Sequence, residues 1–207
     1  MEDEIRSTTK TYDKISQLYA NEFDKPSDHI DDFLKLIPIG GGILDAGCGP
    51  GVDSDYMQSK GYEVVGVDVS DKMIDLARKK NSKGHFEKAD IRELSFKPET
   101  FNGILASFSV IHIPKKDLSK TLCDFYKILK YSGIIYLGIQ EGKSQEIIID
   151  EPLKLDEKIF LNIISAEELR QSLKDAGFEI LNEFNRSPKS EEELNFNKFI
   201  VIGRKIS

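Results

Sequence analysis

No run of apolar residues in this 207-residue chain is long enough to cross a bilayer, so no membrane span is expected. Cysteine is scarce: Cys48 and Cys123 are too few for a disulfide framework. The three histidines, His29, His85 and His112, lie far apart, and no Cys or His pair has the spacing of metal ligands, so no metal is expected. Positive charge is in deficit, with 29 Lys and Arg against 36 Asp and Glu and a formal net charge of −7. A nucleic-acid surface needs a basic footprint, so such a partner is disfavoured, with only a local basic patch left open. There is no internal repeat and no low-complexity tract. The acidic start Met1-Glu2-Asp3-Glu4 lacks a signal-peptide pattern, and a cytoplasmic location is the expectation. What remains is one domain over residues 1–207, of ordinary size and apolar content and able to bury a full core.

The chain is organised around Ile43-Leu44-Asp45-Ala46-Gly47-Cys48-Gly49-Pro50-Gly51. It starts as a buried strand and ends as a loop with glycine at alternate positions. Glycines at 47, 49 and 51 remove Cβ atoms along one side of the turn, so a ligand can lie against bare backbone. A helix following such a loop offers free N–H groups at its amino end, which makes the loop a cofactor cradle. A bare strand-to-helix turn is the simpler reading of the loop alone. The dinucleotide fingerprint fails, because the residue five after Gly47 is Val52 and not glycine. Asp45 would repel a pyrophosphate and welcome a cation. After a second apolar run (Val64, Val65, Val67) stands Asp68, placed as an acid at a strand end that reads a ribose diol. Together these suit an adenosine with a positively charged tail, which is the chemistry of S-adenosylmethionine.

The stretch 43–51 resembles motif I of the class I S-adenosylmethionine-dependent methyltransferases, and Val64-Val65-Gly66-Val67-Asp68-Val69-Ser70 is similar to their acidic second motif. The resemblance extends from Tyr12 to the end of the chain. It implies a three-layer Rossmann-like α/β fold, a mostly parallel sheet with an antiparallel last strand. It also implies S-adenosylmethionine as cofactor and methyl transfer to a nucleophile on a small-molecule acceptor. The alternatives are a methyltransferase acting on tRNA or protein, and a cofactor-binding protein without transferase activity. Nothing in the sequence sets the acceptor or the oligomeric state.

Taken in order, residues 8–23 have helical spacing (Tyr12, Ile15, Tyr19, Phe23), and a second helix shows Ile30, Phe33, Leu34 and Ile37 on one face with Ser27 or Asp28 placed to cap it. Residues 1–38 are thus amino-terminal cap helices. Tyr12 and Tyr19 either pack this segment down or close over the cofactor, as similar helices do in related small-molecule methyltransferases. Strands are expected at 43–46, 63–67, 85–88, 101–107 and 134–139, and two more at 178–185 and 197–205. Ser70 caps the helix that carries Met73, whose readings are an adenine contact and plain core. Resemblance places Val69, Ile91 and Asp90 at the cofactor, with Asp90 accepting from the adenine amino group, and Ser107 beside the methyl donor. His112 follows in Ser107-Phe108-Ser109-Val110-Ile111-His112, where a neutral imidazole serves as a base or simply packs. Cys48 reads as a small packing residue, with a reactive thiol in the cradle as the alternative. Residues 141–164 are irregular, a substrate flap or hairpin on one reading and a solvated insertion on the other.

Overall fold

The computed structural model describes residues 2–206, with side chains from residue 5 onward. The elements, in chain order, are α1 (Glu2–Glu22), α2 (Ile30–Leu34), β1 (Gly42–Ala46), α3 (Val52–Ser59), β2 (Glu63–Asp68), α4 (Asp71–Lys80), β3 (His85–Lys88), β4 (Phe101–Ser107), α5 (Lys115–Ile128), β5 (Leu129–Glu141), β6 (Gln145–Glu151), β7 (Lys154–Ile163), α6 (Ala166–Asp175), β8 (Phe178–Arg186) and β9 (Asn197–Lys205). Seven strands form one sheet in the order β3-β2-β1-β4-β5-β9-β8. The first five run parallel, and β9 is antiparallel to both of its neighbours, as expected from the sequence.

The central strands are apolar on both sides because both faces of the sheet are covered. Along β5, Ile135, Leu137 and Ile139 point to the face of α5 and α6, where Leu122, Phe125, Leu169 and Leu173 are buried. Ile134 and Tyr136 point to the opposite face, with Phe33 of α2 and Met57 of α3. A third, smaller cluster seats Ile74 and Ala77 of α4 on Phe86 of β3. Strand order reverses between β1 and β4, so a crevice opens at their carboxyl ends.

Three local features differ from the sequence expectation. Neither Ser27 nor Asp28 caps α2. His29 occupies the cap position in a left-handed conformation (φ 61°) with no side-chain cap bond, and its ring stacks on Phe184 at 3.6 Å. Ser27 and Asp28 are instead drawn to Asp53 and to Arg186. Strand β5 begins at Leu129, five residues earlier than the pattern suggests, because its pairing with β4 jumps from Phe101–Leu129 to Gly103–Ile134. Ser132 takes φ 57° within that irregularity. Residues 141–164 form a regular hairpin, β6 paired antiparallel with β7, and not a solvated insertion. Ile159, Leu161 and Ile163 are fully or almost fully buried on one face of β7, which anchors the hairpin to the core.

The hairpin in turn holds α1. Thr8 Oγ1 accepts from the Phe160 N–H (2.9 Å), Thr11 Oγ1 donates to the Lys158 carbonyl (2.8 Å), and Lys14 meets Glu157 at 2.6 Å. On its other side Asp13 accepts from Ser70 Oγ (2.5 Å), at the amino end of α4. Helix α1 therefore bridges two elements across the crevice. Among the described residues no helix is long and apolar enough to cross a membrane.

Leu122 has no exposed surface and sits where α5 meets the sheet. Leu122→Ala should lower the unfolding free energy by about 2–5 kcal/mol, read from the urea midpoint, without changing the cavity described next.

Candidate functional site

The crevice under α1 is a cavity of about 810 Å³, counted to its open mouth. Its floor is the loop after β1. Gly47 and Cys48 donate to the Val67 carbonyl (2.8 and 2.9 Å), which ties the loop to β2. The three glycines do different work. A Cβ on Gly47 (φ 85°) would lie 2.3 Å from Ser109 Cβ, and one on Gly51 (φ 81°) would lie 2.9 Å from Ala77 Cβ. These two serve packing, against the loop after β4 and against α4. Only Gly49 (φ 50°) has open space where its Cβ would be, and it lines the cavity. The bare-backbone surface expected of all three is confined to Gly47 and Gly49, which both line the cavity, and only Gly49 would have room there for a Cβ.

Asp68 ends β2 and is held on both oxygens. Oδ2 accepts from the Gly49 N–H (2.9 Å) and Oδ1 from the Ser70 N–H (2.8 Å). A carboxylate has about four lone-pair sites, so each oxygen keeps capacity for a ligand hydroxyl. Burial nonetheless pushes its pKa up. Asp45 is the expected site residue that the structure does not bring to the cavity. It is 2% exposed, beneath the loop, and accepts from Ser54 Oγ of α3 at 2.6 Å. It supports the loop from below instead of facing a ligand cation. Burial, then the charge of Asp53, raises its pKa.

The remaining expected residues line the cavity: Tyr12 and Tyr19 from α1, Val69 and Met73 around the start of α4, Asp90 and Ile91 after β3, and Ser107 and His112 after β4. Met73 and Ile91 are almost fully buried and offer apolar walls. Asp90 is less free than the sequence suggests. Arg92 donates to it from its backbone N–H (2.9 Å), from Nε (3.0 Å to either oxygen) and from a terminal nitrogen (2.5 Å). Arg92 holds the Asp90 pKa below the usual carboxylate range against the cost of burial. An adenine amino group reaching Asp90 has to compete with it. Arg92 was missed by sequence reasoning, although a base two residues after an acid in a cofactor loop was the available signal.

His112 is fixed at both ring nitrogens. Nδ1 lies 2.8 Å from the Phe160 carbonyl, which can only accept, so Nδ1 carries the proton. Nε2 is then the acceptor, and the Tyr12 hydroxyl donates to it at 3.0 Å. Burial lowers the His112 pKa to about 4, so the ring is neutral at pH 7. Burial, and then the charge of Tyr19, pushes the Tyr12 phenol well up. A second chain of hydroxyls runs along the floor. Ser27 Oγ donates to Asp53 (2.6 Å), so Ser107 Oγ donates to Ser27 (2.7 Å). This contact, invisible in the sequence, joins the segment between α1 and α2 to the end of β4.

Residues 43–133 match the family model described as "Methyltransferase domain". A Bacillus subtilis chain named as a methyltransferase, YqeM, is 29% identical over 148 residues, covering 66% of this chain and 60% of that one. The 18S rRNA (guanine-N(7))-methyltransferase of Bos taurus is 29% identical over 115 residues, covering 51% of this chain and 41% of its own. Among solved structures, a SAM-dependent methyltransferase from Methanosarcina mazei superposes with a TM-score of 0.77 at 20% identity, covering 88% of this chain and 99% of that chain. The 1,6-didemethyltoxoflavin-N1-methyltransferase of Burkholderia thailandensis, solved with its acceptor and S-adenosylhomocysteine, superposes with a TM-score of 0.63 at 17% identity, covering 94% and 77%. The chain spans about half the length of the curated relatives it matches. Over residues 43–133 the chain matches a methyltransferase domain, and the relatives and solved structures it resembles point to the class I S-adenosylmethionine-dependent methyltransferases, with S-adenosylmethionine as cofactor.

The glycine geometry predicts a separation of effects. Gly47→Ala should lower the melting temperature by several degrees through the clash with Ser109. Gly49→Ala should cost only the left-handed backbone penalty of about 1–2 kcal/mol but weaken S-adenosylhomocysteine binding, measured by calorimetry. For His112, the unfolded imidazole takes up a proton near pH 6.5 and the native one only near 4. Its contribution to stability is therefore present above pH 6.5 and lost as pH falls from 6.5 towards 4. Nitrogen NMR of the ring should show Nδ1–H and no titration between pH 7.5 and 5.5; a midpoint above 6 would contradict the buried neutral ring.

Proposed function

We propose that this chain transfers the methyl group of S-adenosylmethionine to a nucleophile on a small-molecule acceptor. The observation that carries the reading is the roof: α1 spans the cavity from the hairpin to α4 and sets two tyrosines over it. A bridged cavity admits a small acceptor more readily than a folded RNA.

The residues present fit the cofactor. Gly49 offers open backbone, Asp68 keeps acceptor sites for a ribose diol, and Met73 and Ile91 supply flat apolar walls for a purine. When bound, S-adenosylmethionine supplies a methyl carbon already activated by a positive sulfur. The protein then has little covalent chemistry to do. Its residues hold the acceptor in line, exclude water and steer protons, and alignment alone lowers such a barrier by several kcal/mol. α1 excludes water. His112 orients the Tyr12 hydroxyl through Nε2 while its own Nδ1–H is pinned by Phe160. With its pKa near 4, His112 is a weak base at neutral pH, so its role is to position Tyr12 rather than to collect the proton of a strongly basic acceptor.

The rRNA-modifying relative favours a second reading, a macromolecular acceptor. The formal charge of −7 speaks against it. Labelled-methyl transfer into pooled small metabolites, against transfer into total RNA and total protein, separates the two. The proposal expects label in the small-molecule pool, and label in RNA alone would overturn it. Asp68→Ala should weaken S-adenosylhomocysteine binding at least about tenfold, since a charged acceptor of ribose hydroxyls is lost. Unchanged affinity in a folded variant would remove the ribose role.

A further inference from the structure

Resting on the S-adenosylmethionine reading above, we propose that Arg92 is a specificity-determining gate at the adenine end of the cavity. Without ligand its guanidinium lies across Asp90. When the donor binds, the guanidinium moves to Asp117 and leaves Asp90 to accept from the adenine amino group.

In the closed position the guanidinium covers both oxygens of Asp90. Its Nε stands 3.0 Å from each, and Nη2 is 2.5 Å from Oδ2. Both side chains line the cavity with Ile91 and Met73, the walls that fit a purine. The pair therefore stands in the space that the ligand needs. What anchors the loop is separate from what covers the carboxylate. The Arg92 N–H donates to Asp90 Oδ1 (2.9 Å) and the Glu93 N–H to the Asp90 carbonyl (3.0 Å), so the turn keeps its own bonds when the guanidinium leaves. Lys120 of α5 holds the Arg92 carbonyl at 2.9 Å. Only the Arg92 side chain has to move. Among the described residues the bonds to Oδ2 come from the guanidinium alone, so Oδ2 is the oxygen that is uncovered.

The open position has a seat ready. Asp117, in the first turn of α5, has Oδ2 3.6 Å from Arg92 Nη1, beyond hydrogen-bond length but within ion-pair range. Arg92 and Asp117 both line a second cleft of about 600 Å³, which gives the guanidinium room to swing. Asp117 does not line the donor cavity. The side chains of Arg92, Asp90 and Asp117 are 24%, 28% and 30% exposed. An ion pair in so wet a setting contributes little, so exchanging one carboxylate for the other costs little. The exchange also sets specificity. An amino group at position 6 of a purine donates to the freed Asp90. An oxo group there can only accept, so Asp90 repels it and the closed guanidinium bonds it. Arg92 thus weakens binding of adenine and softens discrimination against a 6-oxo purine.

The test is calorimetric titration of the full chain with S-adenosylhomocysteine and with S-inosylhomocysteine. Arg92→Leu should bind S-adenosylhomocysteine about three- to tenfold more tightly and the inosyl ligand no more tightly, so the ratio of the two affinities rises at least about threefold. Asp117→Asn removes the outer seat without touching the donor cavity. It should weaken S-adenosylhomocysteine binding at least about threefold, and have no effect when combined with Arg92→Leu. Asp117→Asn alone decides the matter if Arg92→Leu fails to fold. Affinity unchanged or reduced by Arg92→Leu, a ratio that does not rise, or an Asp117→Asn variant that binds like the wild type would overturn the gate. A wild-type chain that binds no S-adenosylhomocysteine would overturn it together with the donor reading, whereas good binding with none of these shifts would sink the gate alone.

Discussion

Everything at the cavity floor depends on where the Asp68 carboxylate is held. One oxygen takes the N–H of Gly49 and the other the N–H of Ser70, so a single side chain joins the glycine loop to the amino end of α4. The Ser70 hydroxyl then caps α4 at Met73 and donates to Asp13 of α1. Floor, wall and roof are thereby linked through three consecutive contacts. The links account for a carboxylate being tolerated at the buried end of β2, since charge-assisted bonds from backbone donors offset part of its desolvation. They also fix Gly49 so that its open side faces the ligand.

The sheet was legible because the physics that builds it is local. Two-sided apolar runs at Ile43–Leu44, Val64–Val67 and Ile134–Ile139 read as central strands, and Ser70 marks the helix start that it caps in the structure. The two acids and three glycines gave the cofactor class through their order and spacing. What was not legible came from long-range contacts. No sequence rule reveals that Ser109 crowds Gly47, that Ser54 of α3 takes up Asp45, or that Ser107 reaches Asp53 through Ser27. The hairpin was hard to read because β7 is exposed or partly buried in its first half and buried on both faces over 159–163, so no single period runs through it. Arg92 is a different case: its spacing from Asp90 was visible, but only the fold shows that it turns back onto that carboxylate at the cavity wall.

The electrostatics give the cavity a consistent sign. Asp68 is deeply set and without a cation partner among the described residues, as are Asp45 and Asp53 beneath the floor, and burial raises the pKa of each. Their summed field favours ligands that bring positive charge, and it works against the pyrophosphate of a dinucleotide. The neutral His112, held between Tyr12 and Phe160, adds hydrogen bonding without reversing that sign. The fold sets where a ligand binds, and this charge pattern narrows what the ligand is.

The central claim is that the floor around Asp68 and Gly49 is built for an adenosine with a cationic tail and not for a dinucleotide. Calorimetric titration with S-adenosylmethionine, S-adenosylhomocysteine and NADH tests it most directly. The structure predicts saturable one-to-one binding of both sulfur ligands, with NADH weaker by at least about a hundredfold, or about 2.7 kcal/mol. NADH binding as tightly as S-adenosylmethionine would contradict the assignment of the site.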